Sequence, residues 1–133
     1  MSNSETILSA NAHPGDSTIE TVTGDKFKGD GYYGRSDGLH TIQINLSGFL
    51  GDIEMQGTLA VDPTADDWFT VRLGSGQTID TTGKIFNAIT SKLEYTDNET
   101  SSKTYNFTGN YVWIRVKISN WTDGTVNSIQ MNH

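Results

Sequence analysis

Apolar and polar side chains alternate most regularly near the C-terminus. In residues 110–119, NYVWIRVKIS, Val112, Ile114, Val116 and Ile118 fall on one side and Tyr111, Trp113, Arg115 and Lys117 on the other. A period of two is the mark of a strand with one buried face. The segment NWTDG at 120–124 reads as a turn into a closing run at 125–132, which predicts a long terminal hairpin. A second pair of runs starts at Leu39. There His40, Ile42, Ile44 and Leu46 share a face, SGFLG at 47–51 reads as a turn, and Ile53, Met55, Leu59 and Val61 follow against the polar set Asp52, Glu54, Gln56 and Thr58. This predicts a second hairpin.

The remaining chain is less regular. Residues 1–17 are small and polar with a turn at Pro14-Gly15-Asp16, and read as a flexible N-terminal arm that orders on a neighbour; residues 18–133 read as one domain. Residues 19–38 are punctuated by glycines and predict loops with short strands. Asp62-Pro63 opens a polar turn, a short strand is expected over 68–73, and Thr81-Thr82-Gly83 closes a weak strand around Ile79. Residues 85–95 fit one short helix or two broken strands, and the β-rich context favours strands. The polar run 96–103 reads as a hairpin tip before Tyr105 and Phe107 return to the core. Ile42, Ile44, Leu46, Ser47 and Phe49 recur 72 positions later as Ile114, Val116, Ile118, Ser119 and Trp121. Two such units suit two sheets packed face to face, so the expected fold is an all-β antiparallel sandwich with jelly-roll-like topology.

A length of 133 residues fits one hydrophobic core. Without cysteine there is no disulfide or thiolate metal site, so packing and backbone pairing must hold the fold. Sixteen carboxylates against nine Lys and Arg give a net charge of −7, which argues against binding a phosphate backbone. The N-terminus lacks the pattern of a secretory signal and no run is apolar enough to cross a bilayer, so neither nucleic acid nor membrane is an expected partner.

No catalytic pattern emerges. His13 lies in the polar arm, His133 is the last residue, and His40 on an apolar face reads as a hydrogen-bonded, partly buried side chain. Asp25, Asp30, Asp37, Asp66 and Asp67 are mostly beside glycine or in turns, and read as turn formers rather than paired acids. Asp25, Asp30 and Asp37 raise calcium, but their spacing matches no recognised loop, and no metal or cofactor is assigned. Asn-x-Ser/Thr triplets begin at Asn45, Asn98, Asn106 and Asn120 and read as chance. The outward aromatics carry the functional expectation. Tyr111, Trp113, Arg115 and Trp121 suit a subunit contact, in which aromatics and Arg are enriched. The alternative is a carbohydrate-binding module with Tyr32, Tyr33, Trp113 and Trp121 as stacking platforms.

Three stretches, GDKFKGDGYYGRSDGLHTIQ (24–43), GFLGDIEMQGTLAVDPTADDWF (48–69) and YNFTGNYVWIRVKISNWTDGTVNSIQMNH (105–133), resemble a β-rich module of virion structural proteins in marine contractile-tailed phages, particularly cyanophages. The resemblance spans about four-fifths of the chain. It implies a particle component, assembled in the host cytoplasm and without enzymatic activity. A stand-alone module of this size is similar to decoration or cap proteins, with a tail-associated place as the other possibility. The partners it implies are further copies of the chain, with a trimer favoured, other virion proteins, and in the alternative reading a host-surface glycan.

Overall fold

Four long ribbons bend at a common corner, and this bend organises the molecule. The computed structural model describes residues 5–16, 18–34, 38–79, 85–90 and 92–132. Along them run β1 (Glu5–Leu8), β2 (Asn11–Ala12), β3 (Glu20–Thr23), β4 (Phe27–Lys28), β5 (Leu39–Thr58), β6 (Phe69–Thr70), β7 (Leu73–Ile79), β8 (Ile85–Thr90), β9 (Leu93–Thr108) and β10 (Trp113–Asn132). There is no helix among the described residues, and every strand pairing is antiparallel. The order is β1-β10-β5-β9-β7-β8, with β2, β3 and β4 also on β10 and β6 on β5.

The expected all-β sandwich forms, but not from two hairpins. β5 and β10 are each one continuous strand of 20 residues, and they pair with each other from Thr41↔Asn132 to Thr58↔Trp113. The segments read as turns are bulged corners instead, with register breaks between Ser119 and Asp123 and again before Thr125. A turn and a bulged corner both need positive φ, supplied here by Gly48, Gly51, Asn120 and Gly124, so composition does not separate them. The bulges also reset the alternation. Ile42, Ile44 and Leu46 point inward before the corner and Phe49, Ile53 and Met55 after it; β10 likewise changes from Ile114, Val116 and Ile118 to Trp121. All of these side chains belong to one buried cluster, so the bend folds the sheet into two layers around a single core.

The N-terminal segment completes this arrangement. Glu5 pairs with Met131, Asn11 with Val126, Val22 with Ile118 and Lys28 with Trp113, so β1 to β4 run as one interrupted ribbon along the outer edge of β10. Residues 5–12, read from composition as part of a flexible arm, are therefore strand residues over much of their length, and the reason is that Ile7 and Leu8 are buried in the core. The polar run 96–103 is likewise no hairpin tip but the middle of β9. Its side chains are mostly exposed because it crosses the corner, while Tyr105 and Phe107 are buried as expected. Of the stretch 85–95, residues 85–90 form β8 and 93–95 the start of β9, the stretch 68–73 yields the two-residue β6 and the start of β7, and β7 ends at Ile79. Leu59 and Val61 are each 71 % exposed, because β5 ends at Thr58 before either can turn inward. The turn expected at 81–83 lies outside the described residues.

Candidate binding face around Trp113

With Ile114, Val116 and Ile118 committed to the core, Trp113, Arg115 and Lys117 must stand on the outer side of β10. Each meets a partner supplied by the neighbouring ribbons. Trp113 lies between Lys28 of β4 and Thr58 of β5, and its indole N–H donates to the Val61 carbonyl at 2.9 Å. Arg115 donates from Nε to Gln56 Oε1 at 2.7 Å, and its guanidinium carbon is 4.2 Å from the centre of the Trp68 ring. Burial lowers the Arg115 pKa from its ordinary value, and the nearby Glu54 carboxylate opposes the shift. Lys117 sits across from Glu54, whose Oε2 accepts the Thr70 hydroxyl at 2.6 Å.

Next to Trp113 the turn at residues 29–34 presents two tyrosines. Tyr32 stands 5.1 Å from Trp113 between ring centres, and Tyr33 is 5.6 Å from Tyr32 in an edge-on arrangement. The tyrosines are 45 % and 49 % exposed. Two lysines lie against the rings, with Lys26 Nζ 4.5 Å from the centre of Trp113 and Lys28 Nζ 4.6 Å from that of Tyr32, within the range of cation–π attraction.

The turn itself is held from below. The N–H groups of Gly29 and Gly31 donate to the carbonyls of Val112 and Tyr111, and a Cβ at either glycine would come within 2.3 Å of a backbone oxygen. Between them Asp30 is buried beside His40, with its Oδ1 4.0 Å from His40 Nε2. The Asp30 N–H donates to His40 Nε2 at 3.2 Å, so Nδ1 carries the ring proton and donates to the Gly38 carbonyl at 2.9 Å. The imidazole also stacks on Phe107 with centres 4.6 Å apart. His40 is thus a fully buried, hydrogen-bonded clamp between the two ends of the loop that carries Tyr32 and Tyr33.

Of the four residues expected at a subunit contact, Trp113 and Arg115 stand on this face. Tyr111 is half-buried at its end, packed over Gly57 and Gly109, and lines a hollow of about 420 Å³ with Leu59, Asp67 and Phe69. Trp121 is 2 % exposed and cannot serve as a surface contact or stacking platform; its N–H donates to the Asp123 carbonyl at the corner, and its ring packs on His13 and Phe49. The stacking set thus reduces to Tyr32, Tyr33 and Trp113. Composition did not single out Lys26, Lys28, Gln56 and Trp68, although Lys-Phe-Lys at 26–28 already alternates cations around an apolar residue. His13 is part of a turn, accepting the Gly15 N–H at Nδ1 and pairing through Nε2 with the Thr18 carbonyl. Among the described residues no three acidic or histidine side chains converge as a metal site; Asp37 and His133 lie outside them.

No family model matches the sequence, and no curated protein matches it. Among solved structures, the chain is similar to the SPBc2 prophage-derived protein YomS, at a TM-score of 0.52 and 10 % identity over 99 % of this chain and 93 % of that one. That likeness shows a shared fold. Weaker similarity extends to the Clostridium thermocellum xylanase 10B CBM22-1–GH10 modules complexed with xylohexaose, at a TM-score of 0.35 and 8 % identity over 96 % of this chain and 24 % of that one. A family 29 carbohydrate-binding module from Piromyces equi gives 0.36 and 11 % over 99 % and 91 %. Neither of these two bears on the reading of the site.

Proposed function

We propose that the chain is a structural component of a phage particle that works by binding rather than by catalysis, through the outer face of β10. The observation that carries this reading is the partly exposed outer row Trp113, Arg115 and Lys117 with its aromatic neighbours, because aromatic side chains and Arg are enriched at protein contacts and the row is held on a strand rather than on a loop. The end-to-end likeness to a prophage-derived protein supports the phage origin. In this reading the face joins copies of the chain to one another, in a trimer, and fixes them to other virion proteins as a decoration, cap or tail-associated component of a contractile-tailed phage. Exposed Leu59, Val61 and Phe69, adjoining the face through Tyr111 and the Val61 carbonyl, extend the contact area. Sedimentation velocity tests self-association: the wild-type chain should sediment as an oligomer and Trp113→Ala/Arg115→Glu as a folded monomer. A monomeric wild type at high concentration refutes self-association through this face.

A second reading is favoured by the contiguity of Tyr32, Tyr33 and Trp113, three amphipathic rings that meet edge-on and tilted with neighbouring centres 5.1–5.6 Å apart. Here the chain recognises a host-surface glycan. Saccharide binding lost in Tyr33→Ala while assembly persists separates this reading from the first.

A further inference from the structure

We infer that Asp123 is a site of spontaneous covalent modification: with Gly124 it closes to a succinimide and reopens as isoaspartate, which gives the corner of the fold a chemical lifetime. The inference is independent of what the outer face of β10 binds.

Ring closure at an aspartate meets least steric resistance where glycine follows, because glycine has no Cβ beside the attacking nitrogen and reaches backbone angles closed to other residues. The chain holds three such pairs, Asp30-Gly31, Asp37-Gly38 and Asp123-Gly124. The fold treats them differently. Asp30 is 1 % exposed, and the Gly31 N–H is given to the Tyr111 carbonyl at 3.0 Å, so water is kept from the carboxyl and the nitrogen is engaged elsewhere. Asp37 lies outside the described residues. Asp123 is exposed, and its Oδ1 accepts the Gly124 N–H itself at 2.9 Å.

The corner holds this pair in reach. Gly124 has no partner in the register between β5 and β10, which passes from Asp123 opposite Leu50 to Thr125 opposite Ser47, and its φ is +85°. Asn98 Nδ2 donates to Asp123 Oδ2 at 3.2 Å and to the Gly48 carbonyl at 2.9 Å, which fixes the carboxyl from its other side. The Trp121 indole N–H donates to the Asp123 carbonyl at 2.9 Å and fixes the main chain. Two groups kept in contact in this way react faster than the same groups on a flexible chain.

The chemistry needs no other reactant. In the neutral acid form, the Gly124 nitrogen bonds to Cγ of Asp123 and its proton passes to Oδ1, which it already touches. The resulting diol expels one water and leaves the cyclic imide. Water then adds to either imide carbonyl. Breaking the new N–Cγ bond restores aspartate, whereas breaking the original peptide bond leaves the main chain running through Cβ and Cγ. Isoaspartate thus lengthens the main chain by one methylene and turns the old Asp123 carbonyl into a carboxylate beside it. The corner has no room for the addition, since even a Cβ on Gly124 would collide with the Gly48 carbonyl, and the acceptor of the Trp121 N–H leaves the main chain.

Peptide mapping of the full chain, aged folded in mildly acidic buffer or unfolded in urea, tests the inference. Trypsin releases residues 118–133 with Asp123 as the sole aspartate and residues 29–35 with Asp30 as the sole aspartate. An isomer of unchanged mass that accepts a methyl group from isoaspartyl methyltransferase marks the conversion, and deamidation of an asparagine is set apart by its gain in mass. In the folded chain, 118–133 is expected to convert at least about tenfold faster than 29–35, and in urea the two should convert at similar rates. Asp123→Glu, whose ring would be one atom larger, should abolish the isomer in 118–133. Equal conversion of the two peptides in the folded chain overturns the inference, as does conversion at 118–133 in urea alone.

Discussion

Phe49 and Trp121, which occupy equivalent places in the two 72-residue-spaced segments, meet at the corner of the fold with ring centres 6.0 Å apart. Phe49 also takes Tyr95 edge-on at 5.6 Å, and Trp121 takes His13 at the same distance. The corner is therefore an aromatic knot where all four long ribbons cross.

Trp121 and Trp113 should accordingly behave as opposites. Trp121→Ala removes a buried indole and should destabilise the chain by about 3–5 kcal/mol. Trp113→Ala, which loses a half-exposed ring, one hydrogen bond and a cation–π contact, should cost about 1 kcal/mol. Urea denaturation of the two variants measures the difference. Equal losses would mean that the corner is not the centre of the core.

The glycines at the corner make a second contrast. A Cβ on Gly124 would lie 2.0 Å from the Gly48 carbonyl oxygen, whereas one on Gly48 meets nothing within 4 Å; both residues have positive φ. Gly48→Ala should cost only the backbone penalty, about 1–2 kcal/mol, and Gly124→Ala clearly more, because β5 and β10 must separate to admit it. Thermal melts of both variants, compared with wild type, check the order.

Much of the inner face was legible in the alternation of residues 42–46, 53–55 and 114–118, because a side-chain period of two needs no knowledge of the partner strand. The corner was not. Gly48, Gly51, Asn120 and Gly124 announce positive φ, but whether the chain then reverses or merely bends depends on which strand lies beside it, and β5 pairs with β10 across 55 to 91 positions. The first part of the N-terminal ribbon, residues 5–12, was missed for a related reason: only Ile7 and Leu8 there signal burial, and the rest of its attachment is backbone pairing that any polar sequence can make. At the candidate site, Trp113 and Arg115 followed from strand parity. Trp121 did not, because the bulge at Asn120 switches its side chain from the outer side to the core.

His40 should matter through its nitrogens rather than its size. His40→Phe preserves a ring against Phe107 but supplies no acceptor for the Asp30 N–H and no donor to Gly38. A loss of about 1–3 kcal/mol is expected, mainly from the buried Asp30 N–H deprived of this acceptor, because the Gly38 carbonyl keeps the Gly109 N–H as a donor at 3.0 Å. Hydrogen exchange at Asp30 should accelerate beyond what the global loss explains. Unchanged exchange there would show that the loop is held by other contacts.

Tyr95 gives the fold an alkaline limit. Desolvation first, and a hydrogen bond with Tyr105 second, push its phenol well above the ordinary tyrosine range. The folded state therefore keeps a proton that the unfolded chain releases near about pH 10. The contribution is complete below that pH and is lost as pH rises beyond it toward the folded-state value. Tyr95→Phe, which keeps the edge-on contact with Phe49, should show a shallower fall in melting temperature between about pH 9.5 and 11 than wild type. Identical slopes would contradict the assignment.

A density map of the intact particle, from a phage whose genome encodes this chain, bears most directly on the functional account. The chain should be resolved on the particle with Trp113 and Arg115 covered by a neighbouring subunit. A particle that lacks the chain, or holds it with the outer face of β10 open to solvent and another surface in contact, would contradict the account.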